Sequence, residues 1–221
     1  MKVYTISIVF LFFSLLGQSQ TTVTSTANDY AEETNSDGSI YQGSSDLELC
    51  YDIDDNGGLQ TVGVQFAALS IPQNATITSA YIQFTADESN SGSVTINIKG
   101  QDADNASSFS SSTHDVTNRT QTSASISWSP TAWNSGNSGS AQKTDDLKTI
   151  VQEIVNRSGW STGNSMVFIF SNSTTSAKRV ADNDPVLHVT YTGGNVYPTS
   201  SCNKNKNYLV KDVIFSGISN T

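Results

Sequence analysis

Hydrophobic and polar residues alternate along short runs through most of this chain. The runs Leu47–Tyr51, Val62–Phe66 and Ile77–Phe84 are separated by an acidic, glycine-ended turn, Asp52-Ile-Asp54-Asp55-Asn56-Gly57-Gly58, and by Pro72-Gln-Asn74. Period-two alternation over short runs bounded by Gly, Pro, Asn and Asp marks half-buried antiparallel strands. These runs are read together as one sheet against which the rest of the chain folds. Upstream, Asp29–Glu33 and Ile40–Tyr41 predict short strands around a turn at Ser36–Gly38. Downstream, Val94–Ile98, Ala124–Trp128, Met166–Phe170 and Val186–Tyr191 predict further strands, with loops at 101–124 and at the Gly/Ser/Asn-rich 135–140.

One segment departs from this period. From Thr144 to Val155 the apolar residues Leu147, Ile150, Val151, Ile154 and Val155 recur at helical spacing. They predict a single amphipathic helix of about three turns. Thr144 or Asp145 can cap it, Arg157 sits near its C-terminal dipole and Gly159 can end it. Many short strands with turn signals at intervals of roughly ten residues, plus one helix covering an end, predict an all-β, antiparallel jelly-roll β-sandwich. An immunoglobulin sandwich lacks its Cys…Trp…Cys spacing here.

Composition sharpens the picture. Charged residues make up 14% of the chain and the net charge is -9, so Ser, Thr, Asn and Gly take the surface role. That excludes the basic footprint needed for nucleic acid or an anionic membrane surface. Eleven carboxylates, from Asp29 to Glu88, lie between Val3 and Ile98 with no Lys or Arg among them. They form either a solvated acidic face or a group gathered around a cation.

The ends carry separate signals. Lys2, the apolar run Ile6–Leu16 and the small residues Gly17 and Ser19 predict a secretory signal peptide over 1–20, with the mature chain beginning near Gln20. The expected location is secreted or cell-surface, without membrane insertion after cleavage, because the run is too short for an ordinary span. Cys50 and Cys202 suit either one disulfide in an oxidising compartment or two separate thiols. Residues 193–221 are read as a linker and the start of a following domain in a larger multidomain chain. There Asn203–Lys206 is basic and polar, and Tyr208-Leu-Val210 and Val213-Ile-Phe215 are strand-like. The competing reading is a strand added to the sandwich edge.

Ser45-Asp-Leu-Glu-Leu49, Ile71-Pro72, Ala80–Glu88, Asp104-Asn-Ala106, Trp128-Ser-Pro130, Ala132-Trp133, Asp146–Arg157, Gly159-Trp160, Gly163-Asn164 and Pro185–Tyr191 together resemble a secreted bacterial jelly-roll module of the DNRLRE type. The likeness covers about residues 27–192. It implies a non-catalytic module similar to carbohydrate-binding β-sandwiches, found beside catalytic or adhesive domains. Some relatives bind acidic polysaccharides such as alginate. No ligand residue is carried over by position.

Candidate chemistry is sparse. Asp52, Asp54 and Asn56 match the first half of a calcium loop, since oxygen ligands on alternate positions of a tight turn can converge on a hard cation. Gly63 stands where the bidentate Glu belongs, and an acidic hairpin turn is the plainer reading. A second candidate for a structural calcium is Asp29, Glu32 or Glu33 with Asp87 or Glu88, which can meet at a sandwich edge. Gly159-Trp-Ser161-Thr-Gly163 has the letters of a nucleophile elbow, but its helix precedes and its strand follows, the reverse of what that turn needs. His114 and His188 are too few for an ordinary zinc site. Glu32 and Glu33 are adjacent on a strand and so point to opposite faces, unlike a glycosidase pair. For sugar contact, Tyr41, Tyr51 and Trp133 are the candidates, with Trp133 in a polar loop and expected exposed, and Trp160 expected in the core. The resulting expectation is a non-catalytic module binding extracellular polysaccharide. A structural or adhesive spacer is the alternative, and a polysaccharide lyase or hydrolase the third reading.

Overall fold

The computed structural model describes residues 19–53, 58–172 and 177–194. Its strands are β1 (Gln20–Thr26), β2 (Asp29–Thr34), β3 (Ile40–Tyr41), β4 (Asp46–Leu49), β5 (Tyr51–Asp52), β6 (Gly58–Phe66), β7 (Thr76–Gln83), β8 (Ile96–Gln101), β9 (Gln121–Trp128), β10 (Met166–Asn172), β11 (Arg179–Asp182) and β12 (Val186–Thr192). Among the described residues, one α-helix, α1 (Lys148–Val155), lies between β9 and β10, preceded by a single 3-10 turn at Ser140–Gln142. Every strand pair is antiparallel. The fold is therefore an all-β sandwich with one helix, as the alternation predicts. The signal-peptide expectation, apart from its last two residues, and the following-domain expectation from residue 195 onward fall outside the described residues, as do Cys202 and the turn residues Asp54 and Asn56.

The strands divide into a sheet ordered β1-β12-β7, a larger one ordered β3-β2-β6-β10-β8-β9 with β5 added to β6, and a small β11-β4 pair. The stretch Ser44–Phe84 is thus not one sheet. Its runs go to three different sheets, β4 to the small pair, β6 to the large sheet and β7 to the three-stranded one. Alternation states that one face of a strand is buried, but says nothing about which strand lies beside it. In a sandwich the inner faces of opposed layers share one interior, and consecutive strands can meet across it instead of side by side.

That interior holds Val62, Val64 and Phe66 of β6, Ile77, Ala80 and Ile82 of β7, Phe168 and Phe170 of β10, and Leu187, Val189 and Tyr191 of β12. The large sheet also buries part of its outer face. Ala31, Val167 and Ile169 lie under Ala106, Phe109 and Val116 of the 102–120 loop. This explains why Met166–Phe170 reads as a continuous apolar run, since β10 is covered on both sides. Gly63 makes the cover possible, because a Cβ there would stand 2.5 Å from Phe109 Cζ.

The helix starts later than its apolar spacing predicts. Neither Thr144 nor Asp145 caps it: its N-cap is Leu147, Thr144 serves β7, and Asp146 takes a β7 amide together with the Lys148 amide at 3.1 Å. Ile82 N donates to Thr144 Oγ1 at 3.0 Å, and Ala80 N donates to Asp146 Oδ1 at 3.0 Å. Phe84 N donates to Gln142 O at 2.9 Å, and Ile77 N donates to Gln152 Oε1 at 2.8 Å. Residues 142–147 therefore occupy the outer edge of β7 in place of a strand, the helical Gln152 adds its side chain beyond them, and Lys148–Val155 coils. Replacing Thr144 by Val, which keeps the shape and removes the acceptor, should cost about 1–3 kcal/mol because it orphans the buried Ile82 amide. Urea unfolding of the two proteins at one pH measures this, and an unchanged midpoint would show that the hydroxyl is dispensable.

The buried face of α1, Ile150, Val151, Ile154 and Val155, lies against β7, β8 and β9 and closes one side of the sandwich. Gly100 admits it, since a Cβ there would meet Ile154 Cδ1 at 2.7 Å and Ile150 Cγ2 at 2.8 Å. Glu153 then reaches β9, where its carboxylate accepts from the Ser123 and Ala124 amides, each at 2.8 Å. Arg157 pairs with Asp102 and Asp104 just beyond the helix, instead of serving only its dipole.

Candidate functional site

The residues proposed for sugar contact are not brought together. Trp133 is buried at 1% exposure, contrary to the expectation from its polar loop. Its indole N–H donates to Ala141 O at 2.8 Å, and its ring centroid lies 6.2 Å from those of Phe84 and Trp128. A large ring with one donor is drawn inward wherever that donor finds a carbonyl, and the polar residues around it take the surface. Trp160 is in the core as expected, its indole N–H bonded to Ile71 O at 2.9 Å. Tyr41 is 46% exposed, and Tyr51 is half-buried. Tyr41 lies opposite Glu32 and hence Val62, whereas Tyr51 lies opposite Leu59. Val62 and Leu59 are an odd number of positions apart on β6, so the two tyrosines belong to opposite faces.

The calcium expectations divide in the same way. Of Asp52, Asp54 and Asn56, only Asp52 is among the described residues; it is buried at the end of β5 opposite Gly58. Asp29 and Glu32 face opposite sides of β2. Asp29 accepts the Tyr30 and Phe109 amides at 3.0 and 2.7 Å, and Glu32 turns toward Glu48. The trio Asp29, Glu32 and Asp87 is therefore not assembled around one point. Among the described residues, no group of three or more His, Cys, Asp and Glu side chains is arranged to hold a metal ion.

What the fold does gather is a band of carboxylates along β4 and β11. Glu32 accepts from Glu48 N at 2.9 Å and from Gln60 Nε2 at 3.2 Å, and its carboxyl also hydrogen-bonds the Glu48 side chain. Burial pushes Glu32 up to about 9, with the charges of Glu48 and Asp46 adding to it and the Glu48 amide opposing it. Burial also raises Glu48, with Asp46 and Asp52 adding to it and Lys178 opposing. Asp46 stands opposite Asp182 in the β4–β11 register. Burial raises Asp182, and Asp87, Asp184 and Asp46 raise it further. Glu32 and Asp87 thus share one acidic neighbourhood through intermediates that the alternation pattern did not single out. The two ends of the band come from segments far apart in sequence.

Glu33 points the other way, as its adjacency to Glu32 requires. It accepts from the Val116 and Thr117 amides at 2.8 and 2.9 Å, from the Thr117 hydroxyl, and contacts His114 Nδ1 at 3.3 Å. A buried carboxylate with that many donors holds the 102–120 loop on the sheet. Cys50 is fully buried in the main core, and burial with the Glu32 charge keeps its thiol far above the ordinary range. It is a packing residue.

The outward face of the β1-β12-β7 sheet has a different character. Register places Thr24 beside His188 and Tyr81, and Thr22 beside Thr190 and Ser79. The Tyr81 and His188 rings stack at 4.6 Å with 15° between their planes, and Lys143 Nζ lies 5.0 Å from the Tyr81 centroid on the β7 edge. Thr22 Oγ1 lies 3.2 Å from Thr190 Oγ1, and Gln20 Nε2 donates to Thr78 Oγ1 at 2.9 Å. Partial burial lowers the His188 pKa from its ordinary value. A shallow groove of about 240 Å³ runs beside this row, lined by Ser79, Tyr81, Lys143, Thr144, Asp145 and Asp146. The faces of Tyr81 are engaged by His188 and Lys143, so this surface offers hydroxyl, amide and ammonium groups more than an open ring. Sequence reasoning passed over it because β1 is almost all Thr and Ser and does not alternate in hydropathy.

No family model matches this chain, and no curated protein matches it either.

Proposed function

We propose that this chain is a secreted, non-catalytic module, of the jelly-roll kind that its sequence resembles, and that it holds extracellular polysaccharide on the outward face of the β1-β12-β7 sheet. One observation carries this reading. The face presents Thr22, Thr24, Thr190, Tyr81, His188 and Lys143 in adjacent register, with the 240 Å³ groove along its margin. A polysaccharide chain is extended and covered with hydroxyls, so its natural counterpart is a long, shallow surface of donors and acceptors. Hydroxyls that donate and accept at will suit such a ligand, and the Lys143 ammonium adds a charge-assisted donor. The Glu32–Glu48 pair does not serve as a hydrolytic pair in this reading, because Glu32 is 1% exposed and its oxygens are committed to the Glu48 and Gln60 donors.

Affinity electrophoresis of the full chain through gels containing neutral and acidic polysaccharides tests this. Retardation by at least one of them is expected, with Tyr81→Ala and Lys143→Ala each weakening it about tenfold, or ~1.4 kcal/mol. Absence of retardation on every polysaccharide would leave the spacer role. Release of reducing ends or unsaturated sugars by the pure protein would overturn the non-catalytic reading.

A further inference from the structure

We propose that β1 pairs edge to edge with β1 of a second copy of this chain, antiparallel about a two-fold axis, joining the two three-stranded sheets into one. The proposal does not depend on what the outward face binds.

The edges of the fold are treated unequally. β7 is closed by the acceptors of residues 142–152, which take the amides of Ile77, Ala80, Ile82 and Phe84. β9 is clamped by the Glu153 carboxylate on Ser123 N and Ala124 N. β3 is two residues long. β11 is bonded beyond its partner β4, with Val180 O accepting from Asp87 N at 3.0 Å and Asp182 N donating to Thr85 O at 3.0 Å. Among the described residues, β1 has no comparable guard. It is seven residues long and pairs with β12 in unbroken register from Gln20–Thr192 to Thr26–Val186. Sheet edges are normally protected by charge, proline, a bulge or a cover, and β1 has none of the first three.

The ladder fixes which groups point outward. Ala27 N donates to Pro185 O at 2.8 Å, and Ala27 and Pro185 continue the β1–β12 register. Alternate positions Ser25, Val23 and Thr21 therefore bond to β12, and Gln20, Thr22, Thr24 and Thr26 turn their amides and carbonyls to the open edge. Among the described residues, the main-chain groups of Thr22 and Thr24 have no hydrogen-bond partner across that edge. A two-fold axis passing beside Val23 sets Thr22 against Thr24 of the second copy and Gln20 against its Thr26, so each outward group meets a complement. Val23, only half-buried at present, then meets its own counterpart.

Charge favours a second copy at this place above others. Each chain carries -9, so two copies repel over most of their surfaces. Residues 19–28 contain no charged side chain, and the adjoining strand β12 holds none besides His188. An antiparallel ladder between identical strands is the isologous contact that closes a dimer and leaves no further edge to propagate.

Sedimentation equilibrium of the full chain tests this, with Thr24→Pro and Thr22→Lys as variants. Proline at Thr24 removes a donor from the open edge and leaves the bonds to β12 intact, a placement that edge strands tolerate. Lysine at Thr22 sets two like charges on one face as diagonal neighbours across the axis, two positions apart along the new ladder. We expect a dimer at micromolar concentration, a dissociation constant raised at least tenfold in either variant, and unchanged thermal unfolding of the protomer. A monomer at all concentrations would overturn the proposal, as would a dimer equally tight in both variants. Hydrogen exchange identifies a competing occupant. Slow exchange of the Thr22 and Thr24 amides in a monomeric sample would mean that residues 195–221 or another part of the same chain cover the edge, and the proposal would fall.

Discussion

Replacing Arg179 by Ala should lower the unfolding free energy by about 3–5 kcal/mol, among the largest effects of any single side chain here. Arg179 is 1% exposed, and its hydrogen bonds go to main-chain carbonyls. Nε donates to Thr131 O at 3.0 Å, Nη1 to Lys178 O at 2.8 Å, and Nη2 to Gly92 O at 2.8 Å and Pro130 O at 2.9 Å. The carbonyls belong to Lys178, just before β11, and to two loops, 85–95 and 129–134, which meet in an isolated bridge at Asn90 and Trp133 that leaves the Gly92, Pro130 and Thr131 carbonyls to the guanidinium. The planar guanidinium supplies the missing donors from one point, at the cost of burying a cation, which lowers its pKa. Lysine cannot reproduce that fork, so Arg179→Lys should still lose about 2 kcal/mol. Denaturant unfolding at one temperature reads both variants. A loss below about 1 kcal/mol for alanine would mean that water satisfies the carbonyls in the pocket left behind.

The second large effect is on pH. Glu32 has an ordinary carboxyl pKa of 4.5 in the unfolded chain and about 9 in the folded one. Between those values the folded state binds a proton that the unfolded state has released. Stability therefore falls as pH rises through that window and levels off above it. Glu48 and Asp182 shift in the same direction, so the slopes add. One pKa unit is worth about 1.36 kcal/mol, and sharing of the proton within the Glu32–Glu48 pair spreads the titration, so the expected loss from pH 5 to pH 9 is on the order of 3 kcal/mol. For a chain of this size that is a fall in melting temperature of about 5–10 °C. Glu32→Gln keeps the geometry of the protonated acid, donating to Glu48 and accepting from its amide. It should raise the melting temperature at pH 8 and flatten the profile. Wild-type stability that increases from pH 5 to pH 8 would contradict the shared-proton pair. The same measurement bears on the fold, because the pair exists only if β4 lies against β2 in the observed manner.

Both predictions rest on residues that the chain pattern did not single out. Arg179 reads as one of two adjacent cations, with Lys178, in a short polar segment, and the strand it belongs to, β11, has too few residues to alternate visibly. Its burial follows from the loops that converge on it, which are set by contacts across the whole domain. Glu32 was legible as a strand carboxylate opposed in direction to Glu33, and the structure agrees. Its partner Glu48 was not, because the β2–β4 contact joins segments whose distance in sequence carries no local signal. Trp133 shows the limit from the other side. A polar loop was read as an exposed one, but the loop is polar because it faces water on one side only, and its single large ring goes to the other. The helix is recognised by its apolar spacing, but it starts beyond the expected caps Thr144 and Asp145, because Thr144 gives its oxygen to the Ile82 amide of β7. Capping is local, whereas serving β7 requires that strand to be near.

By itself the chain determined that strands of period two would close over a single interior, and that one amphipathic coil would cover its side. It also determined that the surface would be polar, uncharged in large part, and acidic where charged. These follow from which residues can leave water, and each is decided within a few positions. Only the tertiary structure decided that Leu47, Val62 and Ile77 lie in separate sheets, that carboxylates from β2, β4 and β11 meet, and that, among the described residues, β7 is guarded while β1 pairs on one side alone. Strand partners are chosen by contacts between distant segments, and alternation is equally satisfied by any neighbour that covers the apolar face.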